Sequence, residues 1–298
     1  MTILNAVVPV AGLGTRLLPA TKSQPKEMLP VGKRPVVQYI VEELERNNFK
    51  RVLLITGPSK YSIENHFDLD LVLVRHLRET NKEELLEELE FERSDLKFFY
   101  TRQKMQRGLG DAIMQAADFT SREPFAVALG DSILGLHANS TMLSQMSEIF
   151  LEQTCAAVVA FEEVPHEDVS FYGVAEPETP PQDGRPFPIR DLIEKPDPAN
   201  APSNLAVAAR YIFSERIFEA LRETPPGKGG EIQLTDAIRL LIRNGETVLG
   251  VKLPPTERRY DIGNFESYFK AFFDFVLADP QYGSQMRQYL KEQLDEKD

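Results

Sequence analysis

Apolar strand-like runs alternate with helical patterns along the first half of the chain. Leu4 to Val10 is followed by a helical stretch from about Pro35 to Asn47 and by a second apolar run, Arg51 to Thr56. The order repeats with a strand over Lys97–Thr101, a helix from about Gly110 to Phe119, and a strand over Phe125–Leu129. A helix from about Thr141 to Leu151 and a strand over Ala156–Glu163 complete it. Strands separated by helical crossovers pair in parallel and carry the helices on the faces of the sheet. Most of these strands are apolar throughout, as a sheet covered on both faces requires. The pattern predicts a three-layer, Rossmann-like α/β fold.

Regular alternation then stops. A proline-rich segment from Pro177 to Pro188 separates Tyr172–Ala175 from Leu192 and Ile193, as a long hairpin loop would, so the mainly parallel sheet is expected to be mixed. Leu205–Phe213 reads as a strand, Ser214 as the cap of a helix to about Arg222, and Gly227–Gly230 as a loop before a helix from about Ile232 to Arg243. Thr247–Leu253 is strand-like. The end is helical from about Phe265 to Leu277 and from Gly283 onward, with Phe269, Phe272, Phe273 and Val276 spaced for one apolar face that packs on the domain or meets another subunit.

With 298 residues and 42% hydrophobic content the chain can fill a real core, and its apolar runs fall far short of the about 20 residues a membrane span needs. No basic, apolar, small-residue leader pattern precedes the run at Ile3, which predicts a cytoplasmic protein. Cys155 is the only cysteine, which excludes an internal disulfide and a multi-cysteine zinc site, and it reads as a buried strand residue. A net charge of −12 argues against nucleic acid or anionic membrane as partners. The acidic stretch from Asp68 to Asp95 reads as a solvated surface excursion. An anionic substrate would need a local cluster of cations.

Such a cluster follows the first strand. Val7-Val8-Pro9-Val10 runs into Ala11-Gly12-Leu13-Gly14-Thr15-Arg16, a glycine turn at the carboxyl end of a central strand, where open α/β sheets bind ligands. Glycines let backbone amides approach phosphates, and Thr15 and Arg16 add a hydroxyl donor and a fixed charge. Leu17 stands where a dinucleotide fingerprint needs its third glycine, and no Walker A Lys-Ser/Thr pair follows. By itself the turn could be generic. The flank Leu18-Pro19-Ala20-Thr21-Lys22 continues to Pro25-Lys26-Glu27-Met28-Leu29-Pro30, an extended loop carrying two lysines. Together these segments resemble the sugar nucleotidylyltransferase superfamily, whose signature pairs such a loop with Pro-Lys-Glu-Met-Leu-Pro.

Asp131 ends the apolar run Ala126–Gly130 at the same edge of the sheet, and Asp261 lies in Arg258-Arg259-Tyr260-Asp261-Ile262-Gly263. Either could cap a turn or helix, or the two could share a hard cation. The resemblance implies that both hold a catalytic Mg²⁺. Gln103 follows a strand and offers a donor and an acceptor, which suits a pyrimidine edge; the resemblance gives Gln103 and the Gly108 backbone to the nucleobase. Close helix packing would equally account for the glycines at 108 and 110. Tyr172-Gly173-Val174 followed by Glu194-Lys195-Pro196 matches the same superfamily, where the counterparts of Gly173 and Glu194 hold a hexose and that of Lys195 its phosphate.

The likeness extends through Ala201–Ala206, Arg210-Tyr211 and Gly230–Ala237, from Ala6 to about Tyr268, and these segments are similar to the UTP-glucose-1-phosphate uridylyltransferase branch. It implies a mixed, mainly parallel sheet of the nucleotidyltransferase type with C-terminal helices. It also implies a single domain over 1–298, divided into a nucleotide-binding half (1–163), a sugar-phosphate half (164–263) and terminal helices (264–298). The implied reaction joins UTP and glucose 1-phosphate to give UDP-glucose and pyrophosphate. Ala11, Gly12, Gly14 and Thr15 would bind the nucleotide, and Arg16 and Lys26 would hold the triphosphate. Asp111 stands where that branch often carries histidine, which leaves dTTP or another nucleotide open. A non-catalytic relative that binds nucleotide sugar is the alternative of another class.

Other chemistries fit less well. Gly130-Asp131-Ser132-Ile133 lacks the nucleophile elbow of hydrolases and the Asp-x-Asp common in glycosyltransferases, and the four histidines have no zinc-like spacing. The phenylalanine-rich terminal helices suggest a homodimer or homotetramer.

Overall fold

The computed structural model of the chain describes residues 2–58 and 60–295. β1 (Asn5–Pro9) leads through an irregular segment and a small hairpin, β2 (Pro30–Val31) and β3 (Arg34–Pro35), into α1 (Val36–Arg46) and β4 (Arg51–Thr56). α2 (Tyr61–Phe67) and α3 (Leu71–Glu79) precede β5 (Lys97–Arg102), and α4 (Leu109–Met114) and α5 (Ala117–Thr120) precede β6 (Phe125–Ala128). β7 (Ser132–Leu134) and α6 (Met142–Glu152) lead to β8 (Ala157–Glu163). The hairpin β9 (Gly173–Pro177) and β10 (Pro186–Glu194) is followed by β11 (Leu205–Phe213), α7 (Arg216–Glu223) and α8 (Leu234–Arg243). β12 (Val248–Lys252), β13 (Arg259–Asp261), α9 (Phe265–Ala278) and α10 (Gly283–Asp295) complete the chain.

Nine strands share one sheet in the order β5-β4-β1-β6-β11-β8-β12-β10-β9. β1 pairs in parallel with β4 and β6, β4 with β5, and β8 with β12, whereas β11 and β10 run against their neighbours. All strands of the sheet but β11 and β10 point the same way, so the sheet is mixed with mainly parallel strand directions, as the sequence predicts. From β1 the chain goes to β4 on one side and later to β6 on the other. That reversal opens a crevice beyond the carboxyl ends of β1 and β6.

Side chains of β1 alternate between the two faces. Ala6 and Val8 join a core with Ile40 and Leu44 of α1, Met146 of α6 and Phe275 of α9, while Val7 joins a second core with Ile113, Phe218 and Ile238. Phe125 stacks on Phe218 with ring centroids 5.3 Å apart. Burying each such side chain contributes about 1.5–3 kcal/mol, so both faces anchor the central strands that carry the crevice.

Several local expectations change. β5 is an edge strand with Phe99 and Tyr100 exposed, so it is not covered on both faces. The helix expected over 110–119 breaks into α4 and α5, where Gln115 and Ala116 bond three residues back to Ala112 and Ile113. Ser214 does not cap α7; its hydroxyl is buried without a partner. α9 buries Ala271 and Phe275, while Phe269 and Phe273 of the expected apolar face are exposed, so of the two uses open to that face, packing on the domain is not the one observed. Cys155 lies just before β8 and is only partly buried, with its thiol pushed up to about 11 by that burial.

The acidic excursion forms α3, capped by Asp70, and a 3-10 stretch Glu83–Arg93 with no buried residue. It is moored by Phe91 stacked on His66 and bounds a groove of about 830 Å3 against α1. Among the described residues no helix is long and apolar enough to cross a membrane.

Candidate active site

The glycine loop and the two-lysine segment fold onto one another at the end of β1. Gly14 adopts the left-handed conformation (φ 67°), which turns the chain into a 3-10 turn, Thr15–Leu17, and its carbonyl accepts a 2.8 Å hydrogen bond from the Thr21 hydroxyl. A β-carbon on Gly12 would lie 3.8 Å from Lys26 Nζ, so the ammonium stands directly over the loop. Thr15 and Arg16 are exposed beside it. The Lys26 segment is itself anchored from below. Glu27, 1% exposed, pairs with Lys60 at 2.7 Å, and burial raises its carboxyl above the ordinary range.

Across the crevice Lys26 forms an ion pair with Asp131. Gly130 places that aspartate, because any β-carbon there would lie 2.4 Å from Val10 Cγ1 and 3.2 Å from the Pro9 carbonyl. Asp261 arrives on β13, which pairs with β7 so that Asp261 faces Ser132, and Ile262 N–H donates to the Asp131 carbonyl at 2.9 Å. Burial opposes charge on all three groups. The Lys26 ammonium nevertheless holds Asp131 below the usual carboxylate range, and Asp131, Glu27 and Asp261 raise Lys26 above the usual lysine range. Asp261 is pushed up, by burial first and then by the Asp131 charge. Two neighbouring, mutually repelling carboxylates with oxygen donors alone fit a hard divalent cation such as Mg²⁺, whose remaining ligands would come from phosphate and water. Among the described residues no group of three or more His, Cys, Asp or Glu is placed to hold a metal ion.

At the edge of the sheet, Gln103 follows β5 and is 3% exposed. Its Nε2 donates to Asp111 Oδ2 at 2.7 Å and to the Gly108 carbonyl at 3.1 Å. Gly108 has φ 97°, and a β-carbon there would meet the Ile232 carbonyl at 2.7 Å; one on Gly110 would also strike Ile232, at 2.8 Å. Close packing thus accounts for both glycines, while the Gly108 carbonyl orients Gln103.

The opposite wall comes from the second half. Gly173 pairs in register with Glu194, and a β-carbon on Gly173 would lie 3.0 Å from Thr235 Oγ1. The same hydroxyl donates to Glu194 at 2.7 Å, and Lys195 Nζ lies 3.1 Å from Glu194. Lys195 sits at φ 46°, its N–H donating to the Tyr172 carbonyl at 2.9 Å. The Lys195 side chain is half exposed.

Three further residues bind these walls together. Arg259 pairs with Glu162 and lies 4.5 Å from the Tyr172 ring centroid. Two positions before Asp261 on a strand, it points to the same side. Tyr211 is buried, its hydroxyl raised by burial and then by Glu194, with a further contribution from Asp131. Arg210, wholly buried, donates to Glu43 at 2.6 Å and to the Ser132 carbonyl at 2.9 Å. In the sequence Arg210 and Tyr211 are marked only as part of a stretch similar to the family, and Arg259 only as a neighbour of Asp261.

A sheet whose order reverses at β1, with backbone amides and cations on one lip of the crevice and an all-oxygen carboxylate pair on the other, defines a protein built to handle polyphosphate with a divalent cation. The chain belongs to the nucleotidyl transferase family, whose profile matches residues 5–276. It is similar to the UTP--glucose-1-phosphate uridylyltransferase of Streptococcus pneumoniae serotype 4, with 40% identity over 290 residues, 97% of this chain and 95% of that protein. The UTP-bound UGPase of Acinetobacter baumannii superposes with a TM-score of 0.88 at 35% identity, covering 97% of this chain and 99% of that one. A UDP-glucose pyrophosphorylase complexed with UDP-glucose gives 0.81 at 38% identity, over 92% and 98% of the two chains.

Proposed function

We propose that this chain joins UTP and glucose 1-phosphate to give UDP-glucose and pyrophosphate. The observation that carries this reading is the Lys26–Asp131 pair spanning the crevice above Gly12, with Asp261 beside it. It sits in a chain 40% identical over 97% of its length to a uridylyltransferase.

In this mechanism a phosphate oxygen of glucose 1-phosphate attacks the α-phosphorus of UTP. The new O–P bond forms as the bond to the β-phosphate bridge breaks, and pyrophosphate leaves with the electron pair. The nucleophile is already anionic, so no general base is required. Catalysis consists of bringing two polyanions together and stabilising the charge that moves to the leaving group. Arg16 and Lys26 hold the triphosphate and the departing pyrophosphate, with the amides of Ala11, Gly12 and Gly14 and the Thr15 hydroxyl against the nucleotide. Gln103 and the Gly108 backbone meet the base. Gly173 and Glu194 hold the hexose, and Lys195 neutralises the attacking phosphate. Asp131 and Asp261 are the ligands for the metal, which we assign as Mg²⁺; when bound it supplies positive charge to the phosphate oxygens. Lys26, which pairs with Asp131 in this structure, would hold the triphosphate beside a metal on Asp131 and Asp261.

We assign residues 1–298 to one catalytic unit in the cytoplasm, with 1–163 serving the nucleotide, 164–263 the sugar phosphate and 264–298 the terminal helices. The exposed Phe269 and Phe273 support assembly as a homodimer or homotetramer. The test is product identification with UTP, glucose 1-phosphate and Mg²⁺. Equal amounts of UDP-glucose and pyrophosphate are expected. Turnover with dTTP in place of UTP would move the specificity and keep the chemistry, and no turnover with any nucleoside triphosphate would leave a non-catalytic binding protein.

A further inference from the structure

The Gln103 amide is held in one of its two orientations. Its NH2 group faces two acceptors, the Asp111 carboxylate at 2.7 Å and the Gly108 carbonyl at 3.1 Å, so both of its hydrogens are spent. Turning the amide over would set Oε1 against those same two acceptors and lose both bonds. Arg107 Nη2 donates to the other Asp111 oxygen at 2.8 Å, which fixes the carboxylate in turn. The scaffold beneath is tight. Gln103 N–H donates to the Thr56 carbonyl at 2.9 Å, Ile232 N–H to the Arg107 carbonyl at 2.7 Å, and Gly110 N–H to the Ile232 carbonyl at 2.9 Å.

What remains for a ligand is Oε1. Among the described residues it accepts no hydrogen bond, and it is not one of the buried side-chain oxygens left without a partner. Gln103 therefore presents an acceptor. We propose that Asp111 is a positioning residue that determines base specificity by committing Gln103 Oε1 to a base carrying an N–H at its pairing edge. Resting on the assignment of Gln103 to the nucleobase, this makes the partner the N3–H of uracil. Cytosine has a lone pair at N3 and would oppose Oε1 with another acceptor. Thymine keeps the N3–H and is not excluded by this contact.

The test compares kcat/KM for UTP and CTP in wild type and Asp111→Asn, with glucose 1-phosphate and Mg²⁺, and adds N3-methyl-UTP on the wild type. An amide at position 111 can offer its own NH2 to Gln103, which frees the amide to turn. The expected result is a fall of about tenfold or more in the UTP-over-CTP ratio, carried by KM, with kcat for UTP near wild type. N3-methyl-UTP is expected to lose about tenfold or more against UTP in the unaltered enzyme. A ratio unchanged in a folded Asp111→Asn variant overturns the role of Asp111. Equal use of N3-methyl-UTP and UTP by the wild type overturns the N3–H contact, and needs no variant to fold. Absence of any uridylyl transfer by the wild type would instead strike the functional assignment beneath the proposal.

Discussion

The Lys26 ammonium and the Asp131 carboxylate meet across the crevice between β1 and β6, 105 residues apart in the chain. Each satisfies a charge that burial would otherwise penalise, and each is also the group that a polyphosphate or a divalent cation would claim. The pair therefore keeps a charged site in place before substrate arrives. Lys26→Met leaves the glycine loop without its overlying cation. It is expected to lower the rate of pyrophosphate release from UTP by about 10²-fold or more, by analogy with the loss of one transition-state donor. Steady-state assays at saturating substrate check this; a rate near wild type would remove Lys26 from the chemistry.

Gly130 is as constrained as any residue in the crevice. An alanine methyl there would lie 2.4 Å from Val10 Cγ1, so the ends of β1 and β6 must part. Overpacking of this kind costs about 1–3 kcal/mol. Because the displaced residue is Asp131, Gly130→Ala is also expected to lose turnover out of proportion to its loss of stability. Urea denaturation together with kcat under conditions where the variant is fully folded separates the two effects.

Arg210 and Glu43 form a fully buried pair joining β11 to α1. Removing one partner strands a charge, and Glu43→Ala is expected to cost about 3–5 kcal/mol, whereas Glu43→Met with Arg210→Met costs far less. The double variant still loses the 2.9 Å bond from Arg210 to the Ser132 carbonyl, next to Asp131. It is expected to fold well yet need more Mg²⁺ for half-maximal activity. Equal stability of the single and double variants would contradict this account.

Much of this was legible in the residues. Leu205–Phe213 and Arg51–Thr56 are strands with the bounds read from their apolar runs, because buried strands in a covered sheet carry no competing polar signal. Lys26, Asp131 and Asp261 were named from motif and position, and they do converge. Arg210 and Tyr211 stand out in the sequence only through the likeness of their stretch to the family, and Glu43 not at all, since a charge buried by tertiary contact looks in sequence like any other charge. That Phe275 of α9 goes inward is decided by its packing against Tyr39 and Tyr260, a tertiary contact that periodicity does not carry.

His66 gives the fold a pH dependence away from the crevice. Burial lowers its pKa below the ordinary 6.5, so the folded chain binds this proton less readily than the unfolded chain does. The corresponding stability is fully present above the unfolded value and is lost as pH falls below it toward the folded value. From about pH 7.5 to about pH 5.5 the denaturation midpoint of the wild type is expected to fall further than that of His66→Phe. Parallel curves would show that His66 does not contribute.

The central claim is that uridylyl transfer takes place at the crevice between β1 and β6 with Asp131 as a metal ligand. The most direct measurement is pyrophosphate release from UTP and glucose 1-phosphate, titrated with Mg²⁺, for the wild type beside Asp131→Asn. The expected result is Mg²⁺-dependent release by the wild type and a loss of about 10²-fold or more in the variant, with its fold intact by circular dichroism. Release by a folded Asp131→Asn variant at the wild-type rate and with the same Mg²⁺ requirement would contradict it.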